Sequence, residues 1–281
     1  MRVIPFDTVR QTVCEMCGTA ACDLPPDVLA ALRSARERET APLARDFFDQ
    51  YLKNSDIAAS GRVPLCQDTG FAVFFIRVGT GCRLDRGTVA EAVNEGVREG
   101  YRKFFLRKSI VADPLFDRRN TFDNTPAIIH LEEAPGDRIH LILAPKGGGS
   151  ENMSALKMLK PSQGKEGVID FVVDAVVSAG GNPCPPTVVG VGIGGTMEYA
   201  AFLAKKALLR KVGEASPDPR YAALEAEILR RINASGVGAQ GLGGDVTALA
   251  VHIEFFPCHL ASLPAAVNIN CHAARHTEAE I

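Results

Sequence analysis

The order of helical and strand-like patterns along the chain is the sequence feature that most constrains its fold. Residues 1–60 carry apolar residues at helical spacing, and the rest of the chain mixes β-rich runs with helical stretches without strict alternation. The β-rich runs lie at 71–78, 139–145, 187–195 and 246–254, and the later helical patterns cover 86–105, 164–180, 197–210 and 221–235. This mixture predicts an α+β fold, with mixed sheets surrounded by helices.

Charge and hydropathy exclude several classes of protein. The formal net charge is −2, which gives no electrostatic basis for binding nucleic acid or an anionic membrane. No apolar run reaches the length of a membrane-spanning helix, and the N-terminal segment has no apolar core typical of a secretory signal. We therefore expect a cytoplasmic protein.

Three of the eight cysteines lie at the ends of predicted elements, on turn-prone backbone. Cys66 opens Cys-Gln-Asp-Thr-Gly, Cys184 lies in Asn-Pro-Cys-Pro-Pro, and Cys271 lies in Asn-Ile-Asn-Cys-His. The prolines on both sides of Cys184 predict a stiff loop, which suits a fixed ligand. The three are too far apart in sequence for a local metal motif, so spacing alone allows either ordinary buried thiols or ligands that the fold brings together.

A second group of cysteines has tighter spacing. Cys14-x2-Cys17-x4-Cys22 superficially resembles a local metal site but has no fourth ligand nearby. We interpret these cysteines as one face of a helix followed by a loop.

Two glycine-rich segments follow predicted strands. The segment 146–152 exposes successive N–H groups and could cradle a carboxylate or a phosphate, or could be a simple strand-to-helix turn. The segment 190–195 matches G-x-G-x-x-G, but Arg210 occupies the position where a dinucleotide site expects an acidic residue. We therefore predict that these glycines allow the helix 197–210 to pack closely on the sheet.

Histidines and arginines supply further candidates whose roles the residues alone leave open. His259 and His272 each stand beside a cysteine and could be structural or functional. A guanidinium beside an anion-cradling loop would clamp a carboxylate. The arginines in the relevant stretch are Arg102, Arg107, Arg118 and Arg119.

Seven ordered segments give a far more specific signal than any single motif. They are VPLCQDTG, LRKSIV with DPL, NTFDNTPA, KGGGSENMSALKML, NPCPPTVVGVGIGG, GLGGDVTALAVHIE and LPAAVNINCHAARH. Together they resemble the α subunit, or N-terminal half, of class I (iron–sulfur) fumarate hydratases, with the L-tartrate dehydratase α subunit as a near relative. The resemblance runs from about residue 7 to residue 276. It implies one iron–sulfur-dependent hydro-lyase domain over residues 1–281.

The resemblance implies a cofactor and its ligands. Cys66, Cys184 and Cys271 would each bind one iron of a [4Fe–4S] cluster. The fourth iron would have no protein ligand and would act on the substrate as a Lewis acid. Cys258 and the three N-terminal cysteines have no ligand role in the family, so we interpret them as structural.

The resemblance also implies substrate-binding and catalytic residues, which are Gln67, Asp68, Arg107, Gly149 and His259. Gln67 and Asp68 would lie close to the cluster and the substrate. Arg107 would clamp a substrate carboxylate, and Gly149 would donate a backbone N–H. His259 would bind substrate or transfer a proton.

The predicted reaction is the reversible hydration of fumarate to (S)-malate, a step of the tricarboxylic acid cycle. Lys146 before the three glycines, Ser150-Glu151-Asn152 after them, and NTFDNTPA favour fumarate over tartrate. The resemblance places the catalytic base on a β subunit, in an α2β2 assembly, so the chain is expected to be active only with that partner.

Three alternatives remain. The first is an L-tartrate dehydratase α subunit. The second is a non-catalytic iron–sulfur protein, which would be expected to have four cysteine ligands. The third is a nicotinamide-dependent dehydrogenase built on the glycines at 190–195.

Overall fold

The computed structural model describes residues 1–281 and divides them into two compact units. Unit 1 comprises Met1–Pro25, Ser55–Gly148 and Arg275–Ile281, and unit 2 comprises Pro26–Asn54 and Gly149–Ala274. Each unit has helices and a four-stranded mixed sheet of its own. The predicted α+β class is therefore confirmed.

Unit 1 is built on a sheet with the strand order β10-β5-β2-β4. Its elements, with the parallel pair β1 and β3, are β1 (Arg2–Ile4), α1 (Phe6–Cys22), β2 (Phe71–Gly79), β3 (Cys82–Leu84), α4 (Val89–Lys103), β4 (Ile128–Ala134), β5 (Ile139–Lys146) and β10 (Thr277–Glu280). Strand β2 forms a parallel pair with β4 and an antiparallel pair with β5. Five consecutive residues of β2 are buried, as its continuous apolar run predicts for a central strand.

Helices α1 and α4 approach closely in unit 1, and this explains the N-terminal cysteines. A Cβ built on Gly100 would lie only 2.8 Å from the Cβ of Cys17, so α4 contacts the cysteine face of α1 through a residue without a side chain. Cys14, Cys17 and Cys22 are all buried in this helix. Burial raises the pKa of the Cys17 thiol well above its usual range. The predicted helix is confirmed, but the predicted loop is wrong at Cys22, because α1 extends through that residue.

Unit 2 is built on a sheet with the order β6-β9-β7-β8. Its elements are α2 (Pro26–Arg38), α3 (Pro42–Gly61, continuing into unit 1), α5 (Gly148–Glu151, whose first residue belongs to unit 1), β6 (Ala155–Leu159), α6 (Gly164–Ala179), β7 (Thr187–Gly194), α7 (Met197–Ala207), α8 (Pro219–Asn233), β8 (Ala248–Phe256) and β9 (Leu263–Asn270). Strand β7 is parallel to β8, and β9 is antiparallel to β7 and to β6. All eight residues of β7 are buried, which makes it the centre of the unit's core.

The glycines of β7 allow α7 to pack directly on the strand. A Cβ built on Gly192 would overlap the carbonyl oxygen of Ala200 and lie 2.5 Å from the backbone nitrogen of Ala204. A Cβ built on Gly190 would overlap the carbonyl oxygen of Ala204 in the same way. The predicted packing role of the glycine motif is confirmed, and the backbone that it exposes is covered by a helix.

Some predicted boundaries differ from the structure. The helical reading of residues 1–60 misses β1, whose three residues pair with β3 far along the chain. The helix predicted over 197–210 ends at Ala207, and the last predicted strand extends to Phe256. Strand β1 and the end of β8 depend on pairing with β3 and β7, which local periodicity does not contain. No helix of the structure combines the length and apolar character needed to cross a membrane.

Candidate active site

Two of the three candidate cysteines meet at one end of the sheet in unit 2. Cys184 precedes β7, and Cys271 follows β9, which runs antiparallel to β7 with Val188 opposite Asn270. The backbone N–H of His272 donates to the carbonyl oxygen of Cys184 at 3.2 Å. The His272 Nδ1 atom lies 3.0 Å from the same oxygen. Antiparallel pairing therefore brings together two residues that are distant in sequence.

The loop that carries Cys184 has the constrained backbone that its prolines predict. Cys184 has a φ of 54°, a left-handed conformation that is uncommon for a residue with a side chain. Its N–H donates to the carbonyl oxygen of Gly181 at 2.9 Å. The thiol is exposed, whereas Pro183 and Pro185 on either side are buried. The loop thus anchors its prolines and leaves the sulfur accessible.

Tyr51 supports this loop, although no motif in the sequence indicates its role. Its ring stacks on the His272 ring with centroids 4.0 Å apart. Its hydroxyl donates to the carbonyl oxygen of Pro185 at 3.3 Å and accepts from Gln240 Nε2 at 2.7 Å. Burial, together with the nearby Cys184 and Cys271, raises the pKa of Tyr51 to about 12, against the opposing effect of the hydrogen bond from Gln240. The phenol therefore stays protonated as a donor to the loop at neutral pH.

Gly149, the first residue of the glycine-rich segment that belongs to unit 2, lies at the same end of the sheet. A Cβ built on the exposed Gly149 would be 3.5 Å from the carbonyl oxygen of Asn182, in the loop before Cys184. The Glu151 carboxylate accepts from Lys205 Nζ at 2.5 Å and from Asn268 Nδ2 at 2.8 Å. Packing thus brings the predicted N–H donor, Gly149, to the cysteine loop, where a charged pair holds the adjoining turn.

The third candidate cysteine lies in unit 1 on the segment 66–70. The backbone N–H of Asp68 points to the exposed Cys66 sulfur at 3.4 Å. The Asp68 carboxylate accepts from the backbone N–H of Gly70 at 3.0 Å and from that of Gly148 at 2.7 Å. The glycine-rich segment therefore does bind a carboxylate, as predicted, but that carboxylate belongs to Asp68 of the same chain. Gln67 is exposed beside it.

The structure distinguishes between the candidate arginines. Arg107 is tied to the segment 66–70, because its N–H donates to Thr69 Oγ1 at 3.1 Å and its carbonyl accepts from that hydroxyl at 3.3 Å. Its side chain is exposed. Arg118 donates to the carbonyl of Pro114, and Arg119 pairs with Asp117. Both side chains therefore bind within their own turn. Of Arg107, Arg118 and Arg119, only Arg107 is bound to the cysteine segment.

His259 lies away from the cysteine pair of unit 2. It follows the C-terminal end of β8, whereas Cys184 precedes the N-terminal end of the parallel β7. The eight residues of β7 span roughly 25 Å at about 3.3 Å per residue. His259 Nδ1 accepts from the N–H of Ala261, and the imidazole borders a cavity of about 570 Å³ lined also by Lys165, Arg220, Tyr221, Phe255 and Leu263. This chain's own fold does not bring His259 to Cys184 and Cys271.

The chemistry of the three cysteines fits iron–sulfur ligation. Cys66, Cys184 and Cys258 are exposed and Cys271 is partly exposed, whereas Cys14, Cys17, Cys22 and Cys82 are buried. Cys258 follows the C-terminal end of β8, away from Cys184 and Cys271. The reading of the three as ordinary buried thiols is therefore wrong. An N–H directed at a sulfur, as from Asp68 to Cys66, is the hydrogen bond that tunes such clusters. The structure contains no group of three or more His, Cys, Asp or Glu side chains arranged as a metal site.

Comparison with known proteins yields consistent matches over nearly the whole chain. The family model described as "Fumarate hydratase (Fumerase)" matches residues 10–280. A protein of Methanocaldococcus jannaschii named "Putative L(+)-tartrate dehydratase subunit alpha" is 45% identical over 272 residues, which are 95% of each chain. The L(+)-tartrate dehydratase subunit alpha of Escherichia coli K12 is 34% identical over 256 residues, which are 90% of this chain and 84% of that protein.

Proposed function

Because this chain belongs to the fumarate hydratase (fumerase) family and is a hydro-lyase of that family, we propose that it is the α subunit of an iron–sulfur enzyme that interconverts fumarate and (S)-malate. The observation that carries the proposal is the family match over residues 10–280. We further propose that residues 1–281 act as one catalytic domain. The Ser150-Glu151-Asn152 sequence after the triple glycine favours fumarate as the substrate.

We propose Cys66, Cys184 and Cys271 as the ligands of a [4Fe–4S] cluster. The accessible sulfurs and the N–H of Asp68 directed at Cys66 support this assignment. When bound, such a cluster supplies a Lewis-acidic iron to an α-hydroxy acid. The protein's own contribution is to hold the thiolates in place, and the backbone constraints on Cys184 do so before any ligand arrives.

The proposed roles of the other residues follow from their surroundings. The exposed guanidinium of Arg107 binds a substrate carboxylate, for which its planar fork is suited. Gly149 is exposed, and its N–H donates to a substrate oxygen. Gln67 is exposed for substrate contact, and the Asp68 carboxylate, held by two backbone N–H groups, orders the segment that carries it. His259 as a substrate-binding or proton-transfer residue stays a prediction from the resemblance.

We also propose that the enzyme is completed by a β subunit in an α2β2 assembly. The relatives are named as α subunits, which supports a partner of that kind. Unit 1 also presents Phe105, Phe116 and Phe122 to solvent, with 91%, 89% and 79% of their surface exposed. We propose that the β subunit covers this stretch, because aromatic side chains are enriched at protein–protein interfaces.

A second candidate function is the dehydration of L(+)-tartrate. The names of both relatives favour it directly. Fumarate hydration adds water across a double bond, and tartrate dehydration removes it from a diol diacid. The hydroxy acids of the two reactions, malate and tartrate, differ in one hydroxyl, and a site that hydrogen-bonds that hydroxyl would discriminate strongly between them.

The deciding experiment is a comparison of substrates on the reconstituted enzyme. The chain is co-expressed with its β partner, loaded with iron and sulfide without oxygen, and assayed with fumarate, (S)-malate and L(+)-tartrate. The proposal expects kcat/KM for fumarate to exceed that for tartrate by about tenfold or more. A reversed order would assign the enzyme to tartrate, and no turnover of any substrate by a cluster-loaded complex would refute the hydro-lyase assignment.

A further inference from the structure

Arg275 is a buried cation with incomplete pairing. The residue is only 5% exposed, and it forms no ion pair. Its Nη2 atom donates to the backbone carbonyl oxygen of Asp68 at 2.9 Å. The Nε and Nη1 atoms are buried and have no hydrogen-bond partner. Because a buried charge without a counter-ion lowers stability, packing alone does not account for an arginine at this position.

The Asp68 carboxylate, the anion of the segment 66–70, accepts from the N–H groups of Gly70 and Gly148 and forms no ion pair with the guanidinium. The Cys22 thiol and the Tyr101 hydroxyl lie within its electrostatic range, and burial raises the pKa of both groups. Both are therefore uncharged at neutral pH and supply no compensating negative charge.

Arg275 is one of three donors that hold the segment 66–70 by its main chain. Tyr101 donates from its hydroxyl to the carbonyl oxygen of Gly70 at 2.8 Å. Asn124 donates to the same oxygen at 3.2 Å. Arg275 alone of the three carries a charge, and it alone holds Asp68.

Asp68 connects this support to the candidate cysteine ligand. Its carbonyl accepts from Arg275, its N–H points to the Cys66 sulfur, and its carboxylate accepts from the N–H of Gly148. A shift of the Asp68 main chain would therefore disturb the sulfur contact and the carboxylate contact together.

We propose that Arg275 is a positioning residue for the segment that carries Cys66 and Asp68. The guanidinium fixes the Asp68 main chain. Its charge attracts the Asp68 carboxylate and any anion that binds to the segment. The proposal rests on the proposed function, because it assumes that Cys66 and Asp68 belong to the active site. The positive charge reduces stability and is retained for the order of this segment, as is common at functional sites.

The test compares Arg275→Met, Arg275→Lys and a surface control, Arg83→Met, whose arginine is exposed on β3. Three quantities are measured on each variant: the thermal unfolding midpoint of the chain, hydrogen–deuterium exchange of residues 66–70, and kcat and KM of the cluster-loaded complex. Cluster incorporation is followed by its visible and electron paramagnetic resonance spectra.

We expect Arg275→Met to unfold at the wild-type temperature or above, because it removes a poorly paired buried charge. The amides of 66–70 should exchange about tenfold faster, since their local support is lost. The value of kcat should fall by about tenfold or more, and the cluster spectrum should change. Arg275→Lys retains the charge and one donor and should recover most of kcat, whereas Arg83→Met should match wild type in every measurement.

A purely structural role gives the opposite pattern. The proposal is overturned if Arg275→Met unfolds more than about 5 °C lower or fails to fold, and Arg275→Lys loses activity only in proportion to its loss of folded protein. It is also overturned if exchange at 66–70 is unchanged in Arg275→Met. An inactive wild-type complex would instead refute the proposed function, and the unfolding and exchange measurements would still decide the role of Arg275.

Discussion

Replacing Gly192 by alanine tests whether the glycine motif of β7 serves helix packing. The added methyl group would overlap the carbonyl oxygen of Ala200 and lie 2.5 Å from the backbone nitrogen of Ala204. Both atoms belong to the main chain of α7, so no side-chain rotation can relieve the collision. Helix α7 also carries Lys205, which pairs with Glu151 beside Gly149. The substitution should therefore move the helix and loosen that turn.

The expected loss of stability follows from two opposing effects. Overpacking a close-packed core destabilises by about 1–3 kcal/mol, and a backbone collision belongs at the upper end. Replacing glycine restricts the unfolded chain and returns about 0.4–1 kcal/mol. The net loss is about 2 kcal/mol, which corresponds to a fall of roughly 4–8 °C in the unfolding midpoint of a protein of this size.

Thermal and urea unfolding, followed by circular dichroism, measure this loss. The matched control is Gly61→Ala, where a Cβ would meet only Val63 Cγ2 at 3.8 Å. The control should be as stable as wild type or slightly more stable. A Gly192→Ala chain within about 0.5 kcal/mol of wild type would refute the packing argument. Binding of a nicotinamide nucleotide to wild type, lost in Gly192→Ala, would restore the dehydrogenase alternative.

Three further predictions concern the site and the core. Cys271→Ala should lower the iron content of the reconstituted complex and abolish its cluster spectrum, whereas Cys258→Ala should leave both unchanged; equal iron in the two variants would contradict the ligand assignment. Arg107→Lys should raise KM for the diacid by about tenfold, because lysine cannot bind a carboxylate with two parallel hydrogen bonds, and an unchanged KM in steady-state assays would argue against a clamp. Burial lowers the pKa of His252 below its usual 6.5, so the unfolded chain binds more protons and stability should fall as the pH drops through 6.5. Urea unfolding between pH 5 and pH 8 measures that slope, which His252→Gln should reduce.

Much of the fold follows from local patterns in the sequence. The buried run of β2 and the glycines of β7 identify a central strand and a helix-packing strand, because burial on both faces and close backbone approach require those residue types. The stiff loop at Cys184 follows in the same way from its prolines. Strand β1 could not be predicted, since its three residues become a strand only by pairing with β3.

Most features of the candidate site depend on contacts between residues that are distant in sequence. The chemistry of Cys66, Cys184 and Cys271 is visible in their motifs, but their accessibility is a property of the folded chain. The choice of Arg107 over Arg118 likewise rests on hydrogen bonds to Thr69, 38 residues earlier. These contacts join residues whose separation along the chain carries no information about their distance in space.

The sequence by itself determined the family, the α+β class and the cysteines that we propose as iron ligands, because these follow from ordered motifs and local periodicity. Only the tertiary structure decided which of them meet. The antiparallel register of β7 and β9 brings Cys271 to Cys184, and the parallel register of β7 and β8 leaves His259 at the opposite end of the sheet. Burial of Arg275 beneath Asp68 arises in the same way, because strand pairing and core packing, rather than sequence neighbours, set the surroundings of a side chain.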